Sequence, residues 1–153
     1  IAVSMALAGC HVTAMDISED AIGIAMENAA NLNAEVVFMH ENILQPSHTD
    51  KQWNIIVSNP PYICLHEAED MERNVLDYEP HNALFVPDTD PLIFYRAIAS
   101  YAMSHLSPGG WLCIEINQAY AYEMKSLLPS FGFKDVTISQ DQYGKDRIAY
   151  AHL

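Results

Sequence analysis

The residues best placed to do chemistry in this chain are Asn59-Pro60-Pro61-Tyr62, which follow directly on the apolar run Ile55-Ile56-Val57-Ser58. Each proline fixes its φ and removes a backbone N–H donor. The residue before each proline is pushed toward extended geometry. The carbonyls of this stretch are thereby kept out of a helix. An Asn side chain, a carbonyl and an aromatic face are held at the end of a strand. That set suits a flat group carrying an NH2. The Asn59 side-chain oxygen accepts one hydrogen, the Pro60 carbonyl accepts the other, and Tyr62 offers a face for stacking, with Pro61 keeping the loop rigid. With both hydrogens held, the nitrogen lone pair is aimed at an electrophile. Orientation of this kind supplies at best ~7–11 kcal/mol of a barrier. Attack by a neutral nitrogen creates positive charge, which the two oxygens also stabilise. No nucleophilic side chain or metal is required. The plainer reading of the same four residues is a rigid turn.

Two further positions are candidates. Asp16 ends the apolar run Val12 to Met15 and precedes a helix. In a doubly wound α/β fold, an acid there accepts hydrogen bonds from ribose hydroxyls; the other reading is a loop or cap Asp. Asn42 follows the run Glu35 to Met39 and could hold an adenine amino group, or simply close a turn.

The elements that must position these residues alternate between periods. Helices are expected over 1–7 with Gly9 closing it, from a Ser18 cap to Asn31, over 91–105 and over 119–131. The second helix carries its apolar stripe on Ile22, Ala25, Met26 and Ala29. Strands are expected over 11–15, 35–39, 54–58, 111–116, 134–139 and 147–153, the third apolar on both faces and so central. Residues 64–89 read as a long loop with one helical turn, and 107–110 as a turn. Strand and helix alternate, which predicts an α/β fold with a mostly parallel sheet. The last two strands follow one another without a helix, so one of them is antiparallel.

Other constellations are weaker. The seven histidines have no H-x-x-x-H or Cys/His ligand spacing, so no metal site is expected. Glu67, Glu69, Asp70 and Glu72 read as a solvated acidic face. Cys64 has no sequence-adjacent base, which counts against a nucleophile. The net charge of −13, from 20 acidic and 7 scattered basic residues, argues against a nucleic-acid surface. Three widely spaced cysteines imply reduced thiols and a cytoplasmic setting. No apolar run approaches the ~20 residues of a membrane span.

The motifs together carry a resemblance. V-T-A-M-D-I-S at 12–18, I-V-S-N-P-P-Y-I at 56–63, N-V-L-D-Y-E-P-H-N-A-L at 74–84, F-Y-R-A-I at 94–98, P-G-G-W-L-C-I-E-I at 108–116 and Y-G-K-D-R-I at 143–148 are similar to the release-factor glutamine methyltransferases, the HemK/PrmC family. N-P-P-Y alone is shared with nucleic-acid adenine methyltransferases and ribosomal-protein glutamine methyltransferases; the other segments favour the release-factor branch. The resemblance implies a class I, Rossmann-like S-adenosylmethionine-dependent methyltransferase fold with a reversed last strand. It implies methyl transfer to the glutamine of the Gly-Gly-Gln motif of peptide-chain release factors in translation termination, with S-adenosylhomocysteine as product. Asp16 would then bind the ribose and Ile17 would lie against the adenine. Asn42 stands where the family usually has an Asp. Asn59 and Pro60 would bind the glutamine amide, Asn59 also bordering the cofactor, and Pro61 and Tyr62 would flank the acceptor.

In that family a first strand and a glycine-rich cofactor loop precede the segment that Ile1 matches, and a helical domain precedes those. Residues 1–153 are therefore expected to be a catalytic domain truncated at its N-terminus, with weak cofactor binding and little activity alone. Two other functions compete. An adenine-N6 methyltransferase of nucleic acids shares the clamp, and a non-catalytic structural or interaction module would need none of it.

Overall fold

The computed structural model describes residues 1–71 and 73–153, with only the backbone described at Asp70, Arg73, Val75 and Asp77. The chain divides into two compact units, Ile1–Thr49 and Asp50–Leu153.

The first unit is built from α1 (Ala2–Leu7), β1 (Val12–Asp16), α2 (Glu19–Asn31) and β2 (Val36–His40). β1 and β2 pair in parallel, with Asp16 opposite His40. Ser18 caps α2 as its sequence predicts: its hydroxyl accepts from the Ala21 N–H at 3.2 Å. Glu19 and Asp20 in the first turn complement the helix dipole. Ala29 is buried, whereas Met26, expected on the same stripe, is 54% exposed. Gly9 closes α1 with φ +90°, which glycine adopts without steric cost.

The second unit holds β3 (Trp53–Ser58), β4 (Ile63–Cys64), a 3-10 turn (Leu65–Asp70), α3 (Arg73–Tyr78), α4 (His81–Leu84), β5 (Phe85–Val86), α5 (Ile93–His105), β6 (Leu106–Glu115), a 3-10 turn (Gln118–Tyr120), α6 (Ala121–Ser130), β7 (Lys134–Gln140) and β8 (Asp146–His152). Four strands form one sheet in the order β3-β6-β8-β7. β3 and β6 are parallel. β8 is antiparallel to both β6 and β7, so the expected reversed last strand is present. The core lies where this sheet meets α5 and α6. Leu112, Ile114 and Ile116 are fully buried, as are Tyr95, Met124 and Leu128. Burial of each such side chain contributes on the order of 1.5–3 kcal/mol.

Four expectations need correction. Among the described residues β3 pairs on one side only, with β6, where a central place is expected, and Ile55 and Val57 are exposed. Its two-sided apolar sequence is compatible with burial that no strand among the described residues supplies. Residues 64–89 are not one loop. β4 and β5 pair in parallel, and three short helical segments fill the interval. The predicted turn at 107–110 lies inside β6. There the pairing skips from Trp53↔Leu106 to Ile55↔Trp111, and Gly109 takes φ +74° to carry the excursion. α5 also starts later than expected, because Asp90 closes a turn onto Ile93 N and pairs with Arg96.

Candidate functional site

Because β3 and β6 run in parallel with Ser58 opposite Ile114, Asn59-Pro60-Pro61-Tyr62 and Ile116-Asn117, just past Glu115 at the end of β6, leave the sheet at the same carboxyl end. Open α/β sheets place their sites at such ends. Asn59 is exposed, and its side-chain amide makes no hydrogen bond among the described residues. Pro60 is buried, and Pro61 and Tyr62 are half-buried.

Tyr62 is fastened at every polar atom it has. Its N–H donates to the Leu84 carbonyl at 3.2 Å. Its carbonyl accepts from Asn117 Nδ2 at 3.2 Å. Its hydroxyl donates to Glu115 Oε1 at 2.8 Å and accepts from Arg147 Nη1 at 3.4 Å. Burial pushes the phenol pKa up, and the Glu115 carboxylate pushes it the same way; Arg147 opposes them.

Asn117 is the buried hub behind the loop, 6% exposed. Its Nδ2 also donates to Glu67 Oε2 at 2.9 Å, and its Oδ1 accepts from Ala119 N at 3.0 Å. Its backbone N–H donates to the Tyr95 hydroxyl at 2.9 Å, joining the end of β6 to α5. Asn117 Nδ2 also lies 3.2 Å from Glu67 Oε1, and Glu67 Oε2 accepts from Cys64 N at 2.8 Å. Glu67 therefore departs from the solvated acidic face expected of it. Glu69 is exposed as expected, and Glu72 with the Asp70 side chain lies outside the described residues.

Arg147 is delivered by the turn between β7 and β8. Asp141 Oδ1 accepts from Tyr143 N at 2.9 Å and Lys145 N at 3.0 Å, with Gly144 at φ +76°. Asp141 Oδ2 lies 3.6 Å from Arg147 Nε. Its carboxyl is held below the usual aspartate range, first by the Lys145 N–H.

In the first unit, Asp16, Ile17 and Asn42 stand together at the carboxyl end of β1 and β2. The exposed Asp16 carboxylate accepts from Ser18 N at 2.9 Å through Oδ1. Its Oδ2 has no partner among the described residues, so the group retains acceptor capacity for a diol. Ile17 is 54% exposed, and its carbonyl lies 2.8 Å from His40 Nε2. Asn42 Oδ1 accepts from Leu44 N at 2.9 Å, closing a turn. Its amide NH2 has no partner among the described residues. Beside Asp16, between α1, β1 and α2, lies an open hollow of about 460 Å³ whose walls include Ser4, Met15, Ile22 and Asn28. These donors and acceptors fit a nucleoside. Asp16, Ile17 and Asn42 belong to one unit, and Asn59, Pro60, Pro61 and Tyr62 to the other.

The fold also gathers Cys64, His66 and Asp88, whose ligand atoms all lie within 4.8 Å of one another. The spacing of the histidines did not signal this group. Its atoms already have partners: His66 Nδ1 is 2.8 Å from Asp88 Oδ1, and the buried Cys64 Sγ is 3.1 Å from the hydroxyl of Tyr120, outside the group. Burial pushes the Cys64 thiol up, and its contact with Cys64 carries Tyr120 to about 12. A protonated, enclosed thiol is neither a good nucleophile nor a ready ligand. All three cysteines are unpaired, and among the described residues no helix is long and apolar enough to cross a membrane.

His40, Glu67, Glu115, Asn117 and Arg147 had no role assigned from sequence. Glu115 and Arg147 lay in segments already singled out, but their partner Tyr62 is 53 and 85 residues away.

Comparison with known proteins agrees with this architecture. The family model described as the methyltransferase small domain matches residues 1–78. The chain is 43% identical over 150 residues to a release factor glutamine methyltransferase of Flavobacterium psychrophilum, covering 97% of this chain and 53% of that protein. It is 44% identical over 153 residues to the protein of the same name from Bacteroides thetaiotaomicron, covering 99% and 55%. The chain thus spans about half the length of these curated relatives. A methyltransferase structure from Pyrococcus furiosus superposes with a TM-score of 0.65 at 17% identity, over 94% of this chain and 62% of that one. The fold is that of the class I methyltransferases, as the resemblance implied. With half its length matched by the family model, the chain belongs to the methyltransferase small domain family.

Proposed function

We propose that residues 1–153 form the catalytic domain of a protein-(glutamine-N5) methyltransferase whose acceptor is the Gly-Gly-Gln glutamine of peptide-chain release factors. The observation that carries this reading is the state of the Asn59–Tyr62 loop: Asn59 is exposed and unengaged, while Tyr62 is tied at all its polar atoms. A free amide beside an immobilised ring suits capture of a small planar amide. The names of the relatives, at 43–44% identity, support the choice of acceptor.

S-adenosylmethionine would supply the electrophilic methyl group and leave as S-adenosylhomocysteine. The chain's own residues do the rest. Asp16 offers its carboxylate to the ribose, with Ile17 and Asn42 beside the base. Asn59 Oδ1 and the Pro60 carbonyl each accept one hydrogen of the acceptor NH2. Pro61 and Tyr62 bound the acceptor slot. Holding both hydrogens fixes the amide plane and presents the nitrogen for in-line attack. The nitrogen bonds to the methyl carbon as that carbon's bond to sulfur breaks, and one of the two held protons passes to solvent water, since neither Asn59 Oδ1 nor the Pro60 carbonyl is basic enough to keep it. The unpaired thiols support a reducing, cytoplasmic setting.

The test is labelled methyl transfer to purified release factor by the protein at its full natural length. Label in the wild-type acceptor, and none when its Gly-Gly-Gln glutamine is replaced, is expected. Asn59→Ala should lower kcat on the order of 10²-fold while leaving stability unchanged within ~0.5 kcal/mol, because an exposed, unpartnered side chain carries little folding energy. Label entering DNA or RNA instead would overturn the acceptor assignment in favour of an adenine methyltransferase.

A further inference from the structure

We propose that Glu115 and Arg147 are positioning residues that act through Tyr62, using its hydroxyl as an anchor so that the ring is held in one orientation beside Asn59. The inference rests on the acceptor slot proposed above, but its geometry is independent of the acceptor's identity.

A tyrosine hydroxyl has one hydrogen to donate and two lone pairs. Here the hydrogen is committed to Glu115 Oε1 at 2.8 Å, and one lone pair faces Arg147 Nη1 at 3.4 Å. The backbone end of the same residue is held by Leu84 and Asn117. A tyrosine side chain is set by two torsions, and with both ends pinned neither is free. With the hydroxyl engaged by Glu115 and Arg147, what remains for an acceptor is the ring.

The supports are themselves supported. Glu115 follows the buried Ile114 in β6, whose pairing with β8 places it opposite Ile148. Arg147 precedes Ile148, and its carbonyl accepts from Ile116 N at 2.8 Å. The two charged groups therefore come from adjacent strands that cannot slip without breaking the sheet. Asp141 Oδ2 stands 3.6 Å from the Nε of the Arg147 guanidinium. This gives physical content to the C-I-E-I and G-K-D-R segments, which lie far apart in sequence and meet at one oxygen.

Four variants test the inference: Glu115→Ala, Glu115→Gln, Arg147→Ala and Tyr62→Phe, each checked for folding by circular dichroism. Glu115→Ala and Tyr62→Phe should each lower kcat about 10- to 100-fold, since displacement by ~1 Å has that effect. Their combination should be no worse than either alone. Glu115→Gln, whose carbonyl still accepts the phenol hydrogen, should restore most of the loss. Additive losses, or Gln no better than Ala, would overturn the proposal.

A second readout needs no acceptor. Tyrosine carbons bonded to oxygen are labelled with 13C, and the Tyr62 resonance, identified by its absence in Tyr62→Phe, is followed against pH. Glu115→Ala should lower its midpoint and Arg147→Ala should raise it. No movement in either variant would refute the anchor. Opposite shifts with no methyl transfer by the wild type would uphold the anchor and reject the acceptor assignment alone.

Discussion

Replacing Asn117 by Ala perturbs the buried side chain that joins Tyr62, Glu67 and Ala119. Three losses follow from the geometry. The Ala119 N–H loses its side-chain cap, a change costing typically ~1 kcal/mol. The Glu67 carboxylate loses a donor at 2.9 Å, and bonds to charged groups contribute roughly 1.5–3 kcal/mol. The Tyr62 carbonyl loses its donor at 3.2 Å. These bonds share one side chain, so they do not simply add, and ~3 kcal/mol is the expected total. The assay is built into the sequence. Both tryptophans, Trp53 and Trp111, lie in the unit Asp50–Leu153, so their fluorescence reports urea unfolding of that unit. With an m-value of ~1.5 kcal/mol/M, the midpoint should fall by about 2 M. Asn117→Asp sharpens the test. It keeps the acceptor for Ala119 but sets a carboxylate against Glu67, and like charges in one site raise a carboxyl pKa. That raised folded pKa means the deficit is present at neutral pH and shrinks as pH falls and the pair takes up a proton. A midpoint within ~0.3 M of wild type for Asn117→Ala, or a pH-independent Asn117→Asp deficit, would refute the reasoning.

Other outcomes follow from the same geometry. The folded pKa of Asp141 is depressed, so its contribution is present above the unfolded value of about 3.9 and is lost as pH falls through the folded value. The thermal midpoint should therefore drop on acidification below about pH 4 less steeply in Asp141→Asn than in wild type, and equal slopes would contradict this. In Gly110→Ala the new Cβ would stand 2.8 Å from the Ser107 carbonyl oxygen and 3.1 Å from that of Asn54. The resulting strain should cost ~1–3 kcal/mol in the same urea assay, and an unchanged midpoint would show that the excursion in β6 gives way freely. With an aromatic disulfide reagent at mildly alkaline pH, the exposed Cys10 should react promptly and the buried Cys64 only on unfolding. Prompt modification of Cys64 in the folded protein would be incompatible with its enclosure.

What could be read in advance was what the chain decides locally. Ser18 announces α2 because an N-cap needs only its own next turn. Asn59-Pro60-Pro61 announces a strand's end because proline restricts its own neighbourhood. The reversal of β8 follows from two strands joined by a turn too short for a crossover helix. What was missed depends on distant partners. Two residues at Ile63–Cys64 form a strand only because Phe85–Val86 lie beside them, and neither pair has enough length to show a period. Pro108-Gly109-Gly110 has turn chemistry, yet Leu106 and Trp111 on either side both find places along β3. Glu67 looked like one acid among several because nothing nearby in sequence reveals Asn117, 50 positions on.

The edge of β3 that has no strand beside it among the described residues bears on how this stretch of chain behaves in a tube. Ile55 and Val57 are exposed on a strand that pairs only with β6 among the described residues. Unpaired strand edges are templates on which other chains dock. What opposes that here is the net charge of −13, a repulsion that reaches only ~8 Å at physiological salt and ~3 Å at 1 M. Salt therefore acts as a dial on self-association: dilute buffer keeps molecules apart, and concentrated salt lets the edges meet. Light scattering that rises with sodium chloride, and that substituting Lys for Val57 suppresses, is the expected mark of this balance.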